Sequence, residues 1–546
     1  MANEDLAVSP GRHASKSEPE QRTLSVGVWV ALALGAFVLA GMGVYSFFAY
    51  HTGYVLALMG VALVIYAAVA LLMLRSYIRT GTLGTPAFVV ALLGLGLMYC
   101  VAFPPGSVPD EGYHFAASYR YSDMLLGGVI DEDTFELRTD DAVFREEVVS
   151  LQRADRHAFS SMREVGTWTL QDGSPESFTT MAPFDFSSNL PQQKVASSLG
   201  IVLARLLNLG SIPLFYLGRV FNLLSFVALA GLAFHICRMG KNIIAVVSMF
   251  PMTLHLAASY SYDTAVIGMA LVFCALVFSA IASNEELSRG KQTALVIVAV
   301  LLAPCKVVYV LLVGLVLLIP ANRFGNVRTS RIFKALTILV AVLSLVLVRA
   351  GSLLSYVGPD VTAVAGSATA PALDTRGAET GTFYSLGGLL ADPVGSIALF
   401  ARSLVENGEF YIESTVGGSL GWFQAELIAP DYVTYAFVLV LVVATLRASD
   451  DRACLTWHGR ALAAGIAAAG LLALLLVFAL SWTFDTEAII QGMQGRYLIP
   501  FVPVLAIACR PRGVVVRHAF APIAVPAVVC LNSCLLIGLL GTMLSL

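Results

Sequence analysis

Long apolar runs, broken by short polar stretches, fill most of this chain. They lie near residues 24–48, 54–74, 86–103, 213–236, 242–258, 262–282, 292–304, 306–320, 332–349, 431–446, 461–482, 497–509 and 520–545. A membrane-spanning helix needs about 20 apolar residues, fewer where it is short or enclosed by other helices. The pattern therefore predicts an all-α polytopic membrane protein of about thirteen transmembrane helices. The runs either side of Pro304 admit two readings: one long helix broken by proline, or two short helices meeting at the outer surface.

Two long polar segments, 104–212 and 350–430, interrupt the apolar pattern. The first carries sixteen Asp and Glu against eight Lys and Arg, and it is too long for a simple connector. Its ends predict helices lying on the membrane surface. Residues 111–126 lack proline and are rich in aromatics, and residues 191–207 place Val195, Leu199, Val202 and Leu206 at helical spacing. Between them, about 127–190 reads as a polar elaboration with few periodic signals. Residues 1–23 are polar and of mixed charge, as in a disordered tail. The run that follows is too long for a cleavable signal and reads as an anchor. The expected units are the tail 1–23, two helices in 24–85, a membrane module 86–349 that includes the loop 104–212, a second loop 350–430, and helices in 431–546.

Composition sharpens this picture. The chain is 58% hydrophobic and 13% charged, with mean hydropathy +0.80, which excludes an ordinary soluble domain. The net charge of −3 is uninformative, but its distribution is not. Alternate loops are basic: Arg75 and Arg79; Arg238 and Lys241; Arg289 and Lys291; Arg323, Arg328, Arg331 and Lys334; Arg447, Arg452 and Arg460; Arg510, Arg512 and Arg517. The positive-inside rule places these loops and the amino terminus in the cytoplasm, and both long polar segments outside. The eight cysteines are absent from the long polar segments, which argues against a disulfide framework there. Cys530 and Cys534, four apart on an apolar helix, read as packing residues rather than a metal pair.

The candidate chemistry sits on the external side. In "SVPDEGYHFAASYR", Asp110, Glu111 and His114 fall within one helical turn. Asp110 suits a helix N-cap, but a carboxylate pair with an imidazole also suits general-base work or a divalent cation. Asp263, in the turn "ASYSYDTAVIG", is an ionisable group at membrane depth or a cap for the next helix. Lys306 lies between two apolar runs away from any cytoplasmic loop, where it meets an anionic partner or snorkels. Arg496, in "QGMQGRYLIPFVP", suits phosphate recognition or lipid headgroup contact. Glu406, Glu409 and Glu413 read as a solvated helix face, Trp422 as an interface anchor, and Arg219 and Arg349 as snorkelling residues.

The ordered set "PPGSVPDEGYHFAASYRYSDMLLGG", "LPQQKVASSLGIVLARLLN", "YLGRVFNLL", "PMTLHLAASYSYDTA", "CKVVYVLLV", "GSLGWFQAEL" and "QGRYLIPFVP" resembles one family of bacterial membrane proteins, domain of unknown function 2142, from about residue 90 to 510. The "PDExxH" and "QGRY" pieces are its most specific motifs. That family is similar to the GT-C glycosyltransferases. Those have a large first external loop on two surface helices, an acidic residue near its start, and polyprenyl-phosphate-linked sugars as donors. The resemblance implies Asp110 as catalytic base, with Glu111 or His114 orienting it, and Asp263 as a second acidic site. It also implies Lys306 and Arg496 on the donor phosphate.

The expectation is a glycosyltransferase of a bacterial cytoplasmic membrane, with its active site facing outside. It would move a sugar from a polyprenyl phosphate to a cell-envelope glycan or lipid-linked acceptor. Membrane lipids are the other partners and no nucleic acid is involved. A divalent cation, Mg or Mn, is compatible, with Asp110, Glu111 and Asp263 as its ligands. A lipid-linked glycan flippase would instead carry charges at mid-bilayer and internal repeats. A non-catalytic envelope assembly protein would tolerate isosteric change at these residues.

Overall fold

The structure is a computed structural model that describes residues 26–80, 84–128, 135–169, 178–181, 189–355, 382–422, 424–448, 451, 453–516 and 521–546. The expected tail 1–23 and parts of both long polar segments lie outside the described residues.

Among the described residues, eight helices are long and apolar enough to cross a membrane: Val26–Tyr50, Tyr54–Arg79, Thr85–Ala102, Ser211–Ile236, Asp263–Ala282, Val327–Leu354, Trp457–Trp482 and Ala524–Ser545. The other five expected runs are shorter or broken. Val307–Leu318, Asp431–Thr445 and Gly495–Cys509 are short apolar helices. Arg289–Leu302 has 14 residues. The run 242–258 splits into Lys241–Ser248 and Pro251–Ala257, because Pro251 brings no amide proton to continue the first helix.

At Pro304 the two-helix reading holds. The helix Arg289–Leu302 ends there, and a 3-10 turn, Val307–Tyr309, starts the next. The carbonyls freed by the break are not orphaned. Arg349 Nε donates to Pro304 O at 2.8 Å and Nη2 to Cys305 O at 3.3 Å. Arg349, expected to snorkel, caps this break instead.

Position in the bundle follows apolar burial. The helix Asp263–Ala282 has 89% of its spanning window buried and forms the centre, whereas Val327–Leu354, with 17%, lies at the edge. Its first residue, Asp263, is thus delivered to the interior, at a helix N-terminus whose dipole favours a carboxylate.

The segment after Ala102 builds a cap on one end of the bundle. Helices Glu111–Leu125 and Pro191–Leu206 pair side by side, with Ser118 Oγ 2.7 Å from Ser197 Oγ. The second helix is inside-out for a soluble protein: Lys194, Ser197 and Ser198 are buried, while Val195, Leu199, Leu203 and Leu206 are exposed. That suits a helix whose outer face meets lipid. Its close approach to Ser211–Ile236 requires Gly200, since a Cβ there would stand 2.4 Å from Leu217 O.

The middle stretch, where periodic signals were few, contains helices Thr139–Glu147 and Arg156–Val165 and an antiparallel pair of strands, Phe135–Arg138 with Phe178–Met181. A buried Arg138–Asp141 ion pair at 2.6 Å, joined by Tyr119 Oη donating to Asp141, holds it together. The described part of the second polar segment includes the helix Pro393–Val416, on which Glu406 and Glu409 are exposed as expected of a solvated face, while Glu413 is half-buried.

Candidate active site

The stretch Phe103–Asp110 links the end of one membrane helix to the start of the helix Glu111–Leu125. It makes a tight corner at Gly106, whose φ of +79° and 2.1 Å clearance to Val149 O admit no side chain. A second corner falls at Asp110 itself, with φ 62° and ψ 13°. A non-glycine residue in this left-handed region is strained by roughly 1 kcal/mol or more, least so for Asp and Asn.

A buried clamp holds these corners. Glu111 and Arg219 are both fully enclosed. Arg219 Nε donates to Glu111 Oε1 at 2.8 Å and Nη2 to Oε2 at 2.5 Å. Arg219 also donates to the carbonyls of Cys100, Phe103 and Pro104, and Glu111 accepts from the amides of Gly106 and Tyr260. The pair ties the 103–111 corner to the 258–262 turn that precedes Asp263. Glu111 is therefore not turned toward Asp110 to orient it or to share a metal, and Arg219 does not snorkel. The expected N-cap role of Asp110 is absent too. Its side chain makes no capping hydrogen bond and is directed elsewhere.

It is directed to Arg496. The four residues Asp110, Asp263, Lys306 and Arg496, far apart in sequence, come together at this end of the bundle. Asp110 Oδ2 accepts from Arg496 Nη2 at 3.0 Å. Arg496 Nε lies 3.8 Å from Asp263 Oδ2, and Lys306 Nζ lies 3.5 Å from Asp263 Oδ1. Charge alternates along this chain, Asp110–Arg496–Asp263–Lys306. Its two middle members are buried and its two ends reach the surface: Arg496 and Asp263 are 5% exposed each, the Asp110 side chain 50% and Lys306 22%.

Aromatic rings complete the cationic half. Lys306 Nζ sits 3.5 Å from the Tyr497 ring centre and 4.9 Å from that of Tyr262, a cation-π sandwich. Tyr497 Oη also takes a hydrogen bond from Arg496 Nη2 at 3.0 Å. Burial, opposed by the neighbouring Asp263 carboxylate, brings the Lys306 ammonium down to about 8.

The site is recessed. The helices that carry Lys306 and Arg496 at their heads, Val307–Leu318 and Gly495–Cys509, are too short to span by themselves. Tyr497 stacks on Phe478, ring centres 5.3 Å apart, while the helix Trp457–Trp482 continues a full turn further. Tyr497, whose ring both cations touch, thus packs about 5–6 Å short of that helix end.

His114 is close but set behind. It is buried, packed edge-on against Tyr262 at 4.7 Å, and its Nδ1 has no hydrogen-bond partner among the described residues. Burial first, then the charges of Lys194, Arg496 and Lys306, push its imidazole well below the ordinary histidine range. It is neutral at physiological pH, and among the described residues it makes no hydrogen bond to the Asp110 carboxylate, which pairs with Arg496. Lys194, which sequence reasoning passed over as one polar residue on a surface helix, is fully buried with Nζ donating to Tyr260 O at 2.9 Å.

A divalent cation does not fit these residues. Glu111 is committed to Arg219, and Arg496 stands between Asp110 and Asp263. No group of three or more His, Cys, Asp or Glu side chains is placed to hold a metal ion among the described residues.

Trp422, expected at the membrane interface, instead pins the corner. Its Nε1 donates to Gly106 O at 2.9 Å, and the Gly421 amide donates to His255 Nε2 at 3.2 Å. Tyr262 and Tyr497 were also missed as site residues, although Tyr497 lies in the "QGRY" stretch that drew attention to Arg496.

No curated protein and no solved structure matches the chain. A family model described as "Predicted membrane protein (DUF2142)" matches residues 93–505, which include every residue of the cluster. With that match over most of its length, the chain belongs to the DUF2142 family of predicted membrane proteins.

Proposed function

We propose that this chain is a membrane glycosyltransferase of GT-C type that moves a sugar from a polyprenyl-phosphate donor to a hydroxyl of a cell-envelope glycan or lipid-linked acceptor. One observation carries the reading. A half-exposed carboxylate, Asp110, stands 3.0 Å from a buried cation, Arg496, with Lys306 and Arg496 both on the Tyr497 ring and both paired to Asp263.

In the proposed reaction the acceptor oxygen attacks the anomeric carbon of the donor sugar. The bond from that carbon to the phosphate oxygen breaks, and its electron pair leaves with the polyprenyl phosphate. The acceptor proton passes to Asp110 Oδ1, which accepts no hydrogen bond among the described residues. Attack opposite the leaving group inverts the anomeric configuration. Arg496 and Lys306 stabilise the charge that grows on the phosphate, in a recess where such interactions are stronger than in water. Asp263 holds both cations in place. The basic loops at the opposite end of the bundle favour an external site by the positive-inside rule, in a bacterial cytoplasmic membrane.

The test is release of the lipid carrier. Membranes containing the protein are incubated with a panel of undecaprenyl-phosphate-linked hexoses and envelope glycan, and free undecaprenyl phosphate is measured by mass spectrometry. Release that requires the acceptor and disappears in Asp110→Asn supports the reading. Equal release by the variant contradicts it.

A further inference from the structure

The cluster is electrically closed: two carboxylates and two cations, with each cation already facing a carboxylate. Lys194, fully buried and bonded to Tyr260 O, is not an open contact, so a phosphate arriving as a third anion finds both cations already paired unless a carboxylate withdraws. The two carboxylates differ in their freedom to do so. Asp263 is buried, begins the central helix and is shared by both cations, so its removal would strand two charges in a dry site. Asp110 is half exposed and held on its carboxylate by the single bond to Arg496. Its backbone corner is fixed independently by the Glu111–Arg219 clamp, so the side chain can swing without moving the chain. Arg496 has donors to spare. Its Nε is buried without a hydrogen bond, although a guanidinium offers five N–H groups.

We infer that Asp110 is a displaceable counter-ion, and that the place its carboxylate occupies on Arg496 is the subsite for the substrate phosphate. The inference rests on the glycosyltransferase reading and deepens it. Donor binding expels Asp110 from Arg496 toward the acceptor, so the base is released for proton transfer only when the leaving group is in position. Without donor, Arg496 occupies the carboxylate. The ligand chemistry is a phosphate group, carried on a polyprenyl chain.

The experiment measures equilibrium binding of undecaprenyl phosphate to the protein in neutral-lipid nanodiscs, for wild type, Asp110→Asn and Asp110→Glu. Inorganic phosphate serves as a second probe. Loss of a partly exposed ion pair and of one repelling charge predicts that Asp110→Asn binds undecaprenyl phosphate roughly five- to tenfold tighter than wild type, with Asp110→Glu near wild type. Equal or weaker binding by Asp110→Asn, with wild type binding, overturns the displacement and leaves the transferase reading standing. No binding of undecaprenyl phosphate by either folded protein overturns both. Tightening seen with inorganic phosphate alone overturns the lipid-linked assignment.

Discussion

Replacing Glu111 by Gln separates a structural role for this residue from a chemical one. Glu111 is fully buried and accepts from Arg219 Nε, Arg219 Nη2, Gly106 N and Tyr260 N, at 2.8, 2.5, 2.9 and 3.3 Å. Gln has one acceptor oxygen for these donors, and its amide hydrogens face a guanidinium that has nothing to accept them with. Arg219 becomes an uncompensated buried charge, a loss of about 3–5 kcal/mol. Spread over an unfolding entropy of about 2 cal/mol/K per residue, this is a fall of about 3–4 °C in apparent Tm if the whole bundle melts together, and more if its capped end melts first. Membrane bundles unfold irreversibly, so wild type and variant are scanned at one rate in the same detergent. The double change Glu111→Leu with Arg219→Met should recover part of the loss, because an apolar pair needs no charge balance. Recovery is incomplete because the amides of Gly106 and Tyr260 stay unpaired. A Glu111→Gln protein that melts within a degree of wild type yet loses activity would refute the clamp and return Glu111 to the chemistry.

Other outcomes follow from the same geometry. Gly106→Ala puts a methyl group into Val149 O and should abolish membrane accumulation, scored by immunoblot. Trp422→Phe removes the hydrogen bond to Gly106 O and should cost about 1 kcal/mol, read as a small fall in apparent Tm. Lys306 titrates near 8 in the folded protein against an ordinary 10.5, so its charged form is a burden on the fold below pH 8. As pH rises from 8 to 10.5 the unfolded state binds more protons and this contribution to stability improves, while phosphate binding, which needs the ammonium, falls. Undecaprenyl phosphate affinity should therefore drop through pH 8 in wild type and lose that limb in Lys306→Arg. His114→Gln should leave the pH profile between 6 and 7 unchanged, since the native imidazole is already neutral there; a lost limb would make His114 a proton carrier.

Much of the architecture was legible because hydrophobic length is a local signal. Eight of the expected runs became long apolar helices, and the two surface helices that frame the first polar segment formed where expected. The short helices are where length failed. Val307–Leu318 and Gly495–Cys509 are abbreviated at their heads, where Lys306 and Arg496 sit, and a sequence window cannot tell a recessed helix from a weak span. The four charges that converge were each suspect alone, because an ionisable group beside an apolar run is expensive without a partner. Their pairing was not readable, since Asp110 and Arg496 are 386 residues apart. The same distance problem misassigned Arg219. An arginine near a helix end normally snorkels, and only the fold reveals Glu111, 108 residues away, as its partner. Periodicity gave the apolar face of the helix Pro191–Leu206, but not that its polar face, with Lys194 and Ser197, is buried against the rest of the protein.

The central claim is sugar transfer that depends on Asp110, and cells test it whichever sugar and acceptor are involved. A strain lacking the protein is complemented with wild type or Asp110→Asn at equal membrane levels, and envelope glycans and polyprenyl-linked sugars are compared by mass spectrometry. The account predicts loss of one sugar substituent from an otherwise exported glycan in the variant, with the matching polyprenyl-phosphate sugar accumulating. Complete glycans with Asp110→Asn would contradict it.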